Sequence, residues 1–105
     1  MRRGEIWWAE LPPPVGTRPV LLLSRDEAYS IRQLITVAPV STRSRSIPSE
    51  VDLGTEDGLP QRCAVNLDTI TTVPKSTLSR KIAALSYQKL EAVEAALRFA
   101  LGLKE

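Results

Sequence analysis

The apolar residues of this 105-residue chain change period once. Up to Leu85 they come in short runs that alternate or fill both faces of an extended segment; from Ser86 they recur at Leu90, Val93, Leu97 and Leu101, three and four apart. The second pattern is one face of an α-helix and the first is a series of strands. Several short strands followed by one terminal helix leave few ways to hide both apolar surfaces. The sheet has to close or fold over, and the helix has to cover it. The order therefore predicts a mainly β fold, a small antiparallel barrel or sandwich with a C-terminal helix packed on it. Ser86 is the expected N-cap, Gly102 the expected stop, and Glu94 and Arg98 an expected i,i+4 pair. The stripe from Leu90 to Leu101 is expected to be core.

Within the strand-rich part, residues 5–11 (EIWWAEL) alternate loosely and read as a first strand, half buried, with Trp7 and Trp8 on opposite faces. One of the two is expected in the core; the other is expected partly exposed, at a contact between subunits or as a stacking platform for a base, with core or interface preferred. The block Pro12-Pro13-Pro14-Val15-Gly16 cannot continue a ladder and supplies a turn. Residues 18–24 follow, and Val20, Leu21, Leu22 and Leu23 are apolar on both faces, which predicts a central strand. Residues 25–33 fit a helical turn or an extended loop equally well. A third strand is expected over 34–41, where Pro39 predicts an edge position or a bulge. Further strands are expected at 50–53, over 63–73 as one bent strand or two, and near 80–85, with a short turn at 75–78.

The totals limit the chemistry. The length suits one domain over 1–105, and 43% hydrophobic residues are enough to close its core. No run approaches the ~18 apolar residues of a membrane span, and the opening MRRGE turns directly into folded-looking sequence, so a cytoplasmic protein with no membrane association is expected. There is no histidine and a single cysteine, Cys63. An imidazole acid–base, a cysteine–histidine nucleophile and a metal site are therefore not expected, and Cys63 reads as core packing. None of the five glycines forms a phosphate-cradling loop, so no cofactor is expected. The net charge of +2 is mild, but residues 28–49 contain no acid while holding Arg32, Arg43 and Arg45.

Arginine, hydroxyls and isolated carboxylates remain. Such a set can cleave RNA, because RNA carries its own nucleophile: the 2′-hydroxyl attacks the adjacent phosphorus, and the protein orients the attack and stabilises the charge that develops. Arg18, in GTRPVLLLS, is placed for this. Its planar fork suits a phosphate, and Pro19 restricts the backbone of the residue before it.

The segments RRGEIWWAELPP, RPVLLLS after a glycine turn, ITVAPVST, VNLDTITTV and the terminal helix ending in ALGL occur in order. With them the chain resembles the MazF/PemK family of toxin endoribonucleases over nearly its whole length. The resemblance implies an SH3-like, CcdB-like barrel with a C-terminal helix. It implies a homodimer, metal-independent cleavage of single-stranded RNA at short sequences to a 2′,3′-cyclic phosphate, and an antitoxin partner of the MazE kind whose acidic tail covers the groove. The catalytic arginine falls on Arg18. The hydroxyl, usually a threonine at the end of the third strand, falls on Ser41, which aligns without a gap, or on Thr42 if the register shifts by one. STRSRS is the expected track for the RNA backbone through Arg43 and Arg45. Asp68 and Asn66 stand where some members carry an aspartate and an arginine, and are the further expected RNA-binding residues. Two other readings stay open: a CcdB-like toxin that poisons gyrase and cuts nothing, and a catalytically silent member that only binds RNA or antitoxin.

Overall fold

The computed structural model describes residues 1–104. Seven strands and two helices follow one another as β1 (Glu5–Glu10), β2 (Thr17–Leu22), α1 (Ala28–Ile31), β3 (Leu34–Ser41), β4 (Glu50–Leu53), β5 (Cys63–Asn66), β6 (Thr71–Pro74), β7 (Leu78–Ala84) and α2 (Tyr87–Leu101). Neighbours pair antiparallel in the order β4-β5-β3-β2-β1-β7, with β6 on the free half of β3. The result is a curled half-barrel with α2 laid against it, as the change of period predicted. The undecided segment 25–33 holds the single turn of α1, and the stretch 63–73 is two strands parted by a 3-10 turn at Leu67–Thr69.

The curled sheet is apolar on both sides. Ile6, Leu21, Ala38, Val40, Val65 and Leu67 pack beneath α2 with Val93 and Ala96, while Ala9, Val20, Leu22, Ile35, Val37 and Tyr29 form a second cluster on the other face. β2 and the Leu23 that follows it feed both clusters, which is why the run Val20–Leu23 has no polar face.

Three expectations need correction. Pro39 is not at an edge, because β3 pairs with β2 on one side and with β6 and then β5 on the other. Leu23 N donates to Thr36 O, so alternation makes Pro39 opposite Val20 a non-hydrogen-bonded position toward β2. Its nitrogen faces the other side, between Val37 and Val40, where the partner strand changes and no donor is needed. The second correction concerns α2. Ser86 caps it by accepting from Lys89 N, and Gly102 ends it at φ +68°, both as expected. Glu94, however, pairs with Arg3 at 2.7 Å and not with Arg98. Arg3 also donates from Nε to Leu23 O and from its backbone N to Asp26, so it fastens the N-terminus between sheet and helix. Third, the core-facing stripe is Val93 and Ala96, which are buried, with Leu90, Leu97 and Ala100 partly buried beside them. Leu101 lies on the surface at the last turn, 52% exposed.

Among the described residues, no helix is long and apolar enough to cross a membrane.

Candidate active site

Between β2 and β3 the sheet opens. Leu23/Thr36 and Leu21/Ala38 are successive hydrogen-bonded pairs, and the next in the series is Pro19/Val40. Pro19 has no N–H to give, and the ladder stops at Val20/Pro39. Beyond that point β3 turns away to pair Val40 with Val65 and Ser41 with Ala64 of β5. On β2, meanwhile, Thr17 and Arg18 stay attached to Glu10 and Ala9 of β1. Continued one step further, the interrupted register sets Arg18 opposite Ser41. The two strand ends part there and leave a groove of about 690 Å³ with Arg18, Ser41, Thr42 and Arg43 among its lining residues.

The turn ahead of Arg18 holds this arrangement. Val15 and Gly16 donate backbone N–H groups to Pro12 O, and Leu11 N donates to Gly16 O. Gly16 sits at φ +71°, a conformation that side chains resist. On the opposite bank Ser41 Oγ accepts from Arg43 N at 3.1 Å, a turn that brings the arginine back toward the groove.

The charges are one-sided. Arg18 and Arg43 are the only ionised side chains in the lining, with Thr17, Ser41, Thr42, Gln61 and Thr71 as neutral polar groups among the described residues. Arg18 is exposed and its one hydrogen bond is a 3.4 Å contact from Nη1 to Thr17 O. Neither arginine has a carboxylate partner among the described residues; the four ion pairs lie elsewhere, at Arg3–Glu94, Arg45–Glu50, Lys81–Glu5 and Lys89–Asp57. Two guanidiniums left unpaired in a carboxylate-free groove form a site for an anion, and the adjacent alcohols can orient it.

The expected site residues divide. Arg18, Ser41, Thr42 and Arg43 come together in the groove. Arg45 does not: its backbone N donates to Glu50 Oε1 at 2.9 Å and its Nε lies 3.6 Å from Glu50 Oε2, which binds the loop to β4. Ser44 is held likewise by Asp52. Asn66 and Asp68 are also outside the groove. Asn66 Oδ1 caps the 3-10 turn by accepting from Asp68 N at 2.9 Å, and the Asp68 carboxylate accepts from the buried Ser49 hydroxyl. Both are spent on shaping the corner between β5 and β6.

Sequence reasoning left open which of the two tryptophans would be partly exposed, and it missed Leu11, Gln61 and Thr71; these three and Trp8 also line the groove. Of the two tryptophans, Trp7 packs on the second core cluster and donates Nε1 to Glu5 Oε1 at 2.9 Å, while the half-buried Trp8 forms part of the groove wall. Cys63 is buried in the core as expected and reaches the groove floor. Burial pushes its thiol up, with Asp57 and Asp52 adding to the effect, so it stays protonated and inert.

Residues 2–101 match the family described as the PemK-like, MazF-like toxin of type II toxin–antitoxin systems. The chain belongs to this family. It is 41% identical over 104 residues to the probable endoribonuclease MazF2 of Mycobacterium tuberculosis, covering 97% of this chain and 99% of the relative. The probable endoribonuclease MazF5 of the same organism is 39% identical over 100 residues, covering 94% and 91%. Among solved structures, the Mycobacterium tuberculosis toxin MazF-mt6 superposes with a TM-score of 0.88 at 32% identity, covering 96% of this chain and 99% of that one. An endoribonuclease in complex with its cognate antitoxin, from a mycobacterial species, superposes at 0.89 with 27% identity, covering 100% and 98%. The half-barrel with its C-terminal helix is thus the MazF fold, and the groove at the parted ends of β2 and β3 belongs to a MazF-like toxin.

Proposed function

We propose that this toxin is an endoribonuclease that cuts single-stranded RNA in the groove between Arg18 and Ser41, without a metal ion. The single observation that carries the reading is the unpaired Arg18 guanidinium facing the Ser41 side of a carboxylate-free groove. In this reading the scissile phosphate lies against Arg18. The 2′-oxygen of the preceding ribose attacks phosphorus, an O2′–P bond forms, and the P–O5′ bond breaks. The 2′-proton passes to solvent, the departing 5′-oxygen takes a proton from solvent, and the upstream product ends in a 2′,3′-cyclic phosphate. Arg18 compensates the negative charge gathered on the non-bridging oxygens, and the Ser41 hydroxyl, with Thr42 beside it, orients the phosphate. Arg43 holds a neighbouring phosphate.

The same charge pattern fits an acidic antitoxin tail that competes with RNA for the groove, and a structurally similar endoribonuclease is held by its cognate antitoxin. A single toxin domain acting as a homodimer in the cytoplasm completes the reading; sedimentation of the 11.6 kDa chain reads its oligomeric state directly. The gyrase-poisoning alternative is disfavoured by relatives named endoribonucleases. The deciding experiment incubates purified protein with RNA in excess chelator and maps the 5′ ends of the products. Cleavage at a recurring short sequence, abolished by one 2′-deoxy substitution at the cut, is expected. Intact RNA, or cleavage indifferent to that substitution, would reject the reading.

A further inference from the structure

Beside the groove lies a second, shallower cavity of about 350 Å³, lined by Trp8, Thr17, Ser79 and Arg80. Trp8 and Thr17 line both cavities, so the two are continuous across β1. Trp8 and Arg80 are direct partners in the β1–β7 ladder. Residues directly opposed on an antiparallel pair project from the same face with Cβ atoms ~5 Å apart, so the indole and the guanidinium form one shelf. Ser79 Oγ donates to Trp8 O at 3.4 Å and closes its end. The shelf's charge is free: the adjacent Lys81 is held 3.3 Å from Glu5, whereas exposed Arg80 has no carboxylate partner among the described residues.

We infer that this shelf is a second nucleotide subsite, in which Arg80 holds a phosphate and the face of Trp8 supports a base one or more nucleotides from the cut. The inference rests on the RNA-cleaving reading of the Arg18 groove and extends it. β2, β1 and β7 are consecutive in the sheet, with Arg18 opposite Ala9 and Arg80 opposite the adjacent Trp8 of β1, so alternation sends the two guanidiniums from opposite faces of the sheet and toward different phosphates. An aromatic face beside an arginine is the usual platform for an unpaired base and its backbone, and its stacking tolerates any base. The shelf therefore adds affinity and strand length to the site while leaving the sequence preference to the groove.

The test measures binding of mixed-sequence, uncleavable 2′-O-methyl oligoribonucleotides as a function of salt, one series just filling the Arg18 groove and one extended at both ends. For single strands the slope of log affinity against log salt changes by ~0.7 for each phosphate contact. Arg80→Ala should lower that slope by about this amount on the extended series and lose more affinity there than on the short one. Arg80→Lys should keep the slope, and Trp8→Phe should weaken the extended series more than the short. Arg32→Ala, an exposed arginine outside both cavities, is the control that should leave the slope in place. An unchanged slope for Arg80→Ala, or equal losses on both series, overturns the inference. So does a change of oligomeric state on ultracentrifugation with RNA binding intact, which would make the shelf a contact between subunits. Failure of the underlying reading looks different: the wild type then binds these strands through Arg80 yet leaves their 2′-hydroxyl counterparts uncut.

Discussion

Arg18→Ala separates catalysis from folding, and the structure sets the size of both effects. Between substrate and transition state the non-bridging phosphoryl oxygens gain about one unit of negative charge. A guanidinium ~4 Å away, in surroundings of effective dielectric ~20, favours that increment by about 4 kcal/mol. The groove is open to water, and removing single oxyanion donors from enzymes costs about 2.7–4 kcal/mol, so the lower half of that range is the fitting scale. At ~1.36 kcal/mol per tenfold, Arg18→Ala should lose about 100- to 300-fold in kcat. The fold should hardly notice. Arg18 is exposed, has no ion-pair partner among the described residues and bonds only to its neighbour's carbonyl, so stability should move by no more than ~0.5 kcal/mol. Single-turnover cleavage of a fluorogenic RNA oligonucleotide, read beside a thermal melt, gives both quantities. Arg18→Lys should recover only part of the rate, because an ammonium keeps the charge and loses the fork. A folded Arg18→Ala protein losing less than tenfold in rate would refute the reasoning, since a charge at the scissile phosphate cannot be worth so little.

Other consequences follow from the same geometry. Ser41→Ala should lower kcat by about one to two orders of magnitude, the worth of a hydrogen bond to a charged group at about 1.5–3 kcal/mol, and Thr42→Ala should lower it less because the interrupted register sets Ser41 opposite Arg18; a reversed ranking in the same assay would move the role to Thr42. The Tyr29 phenol, pushed up to about 12 by burial and then by Asp26, donates to Ser24 O at 3.0 Å. Because its protonated form is favoured in the fold, the associated stability is full below pH 10 and lost as pH rises through about 12. Phenolate absorbance in a Tyr87→Phe background should show that late titration, and Tyr29→Phe should abolish it. At the acid end, burial raises the Glu5 carboxyl, but the Trp7 indole, the Arg2 backbone and Lys81 outweigh it and hold the group below its ordinary 4.5. The ionised form is favoured in the fold, so its stability is full above that value and lost as pH falls through the lowered one. Glu5→Gln should melt lower than wild type at pH 7 and show a flatter acid limb.

How far the sequence led depends on whether the cause was local. The terminal helix was legible because cap, stop and stripe are all carried by residues within it, and the ends of β3 and β4 were read at 34–41 and 50–53 as found. Arg18 was singled out by its own type and by the proline that follows it, whereas Ser41, with Thr42 as its alternative, came only from the family resemblance. What escaped was decided across the sheet. Nothing near Pro39 tells that its nitrogen faces the gap between β6 and β5, and nothing near Glu94 tells that Arg3, from the other end of the chain, takes the place of Arg98. Arg45 and Arg43 look alike in STRSRS, yet only the fold brings Glu50 beside Arg45. Asn66 and Asp68 sit in a stretch that marks the family, and the structure spends both on a turn. Trp7 and Trp8 are both half-buried and look alike in sequence, so the place of Trp8 in the groove wall needed the register with Pro19 and Arg80.

The central claim is that the RNA cuts itself through its own 2′-oxygen while Arg18 steadies the phosphate. Mass analysis of the 3′ ends of products made by the purified protein in chelator tests this most directly. The account predicts a 2′,3′-cyclic phosphate on the upstream fragment and a free 5′-hydroxyl on the downstream one. A 3′-hydroxyl upstream with a 5′-phosphate downstream would contradict it, because water and not the ribose would then have been the nucleophile.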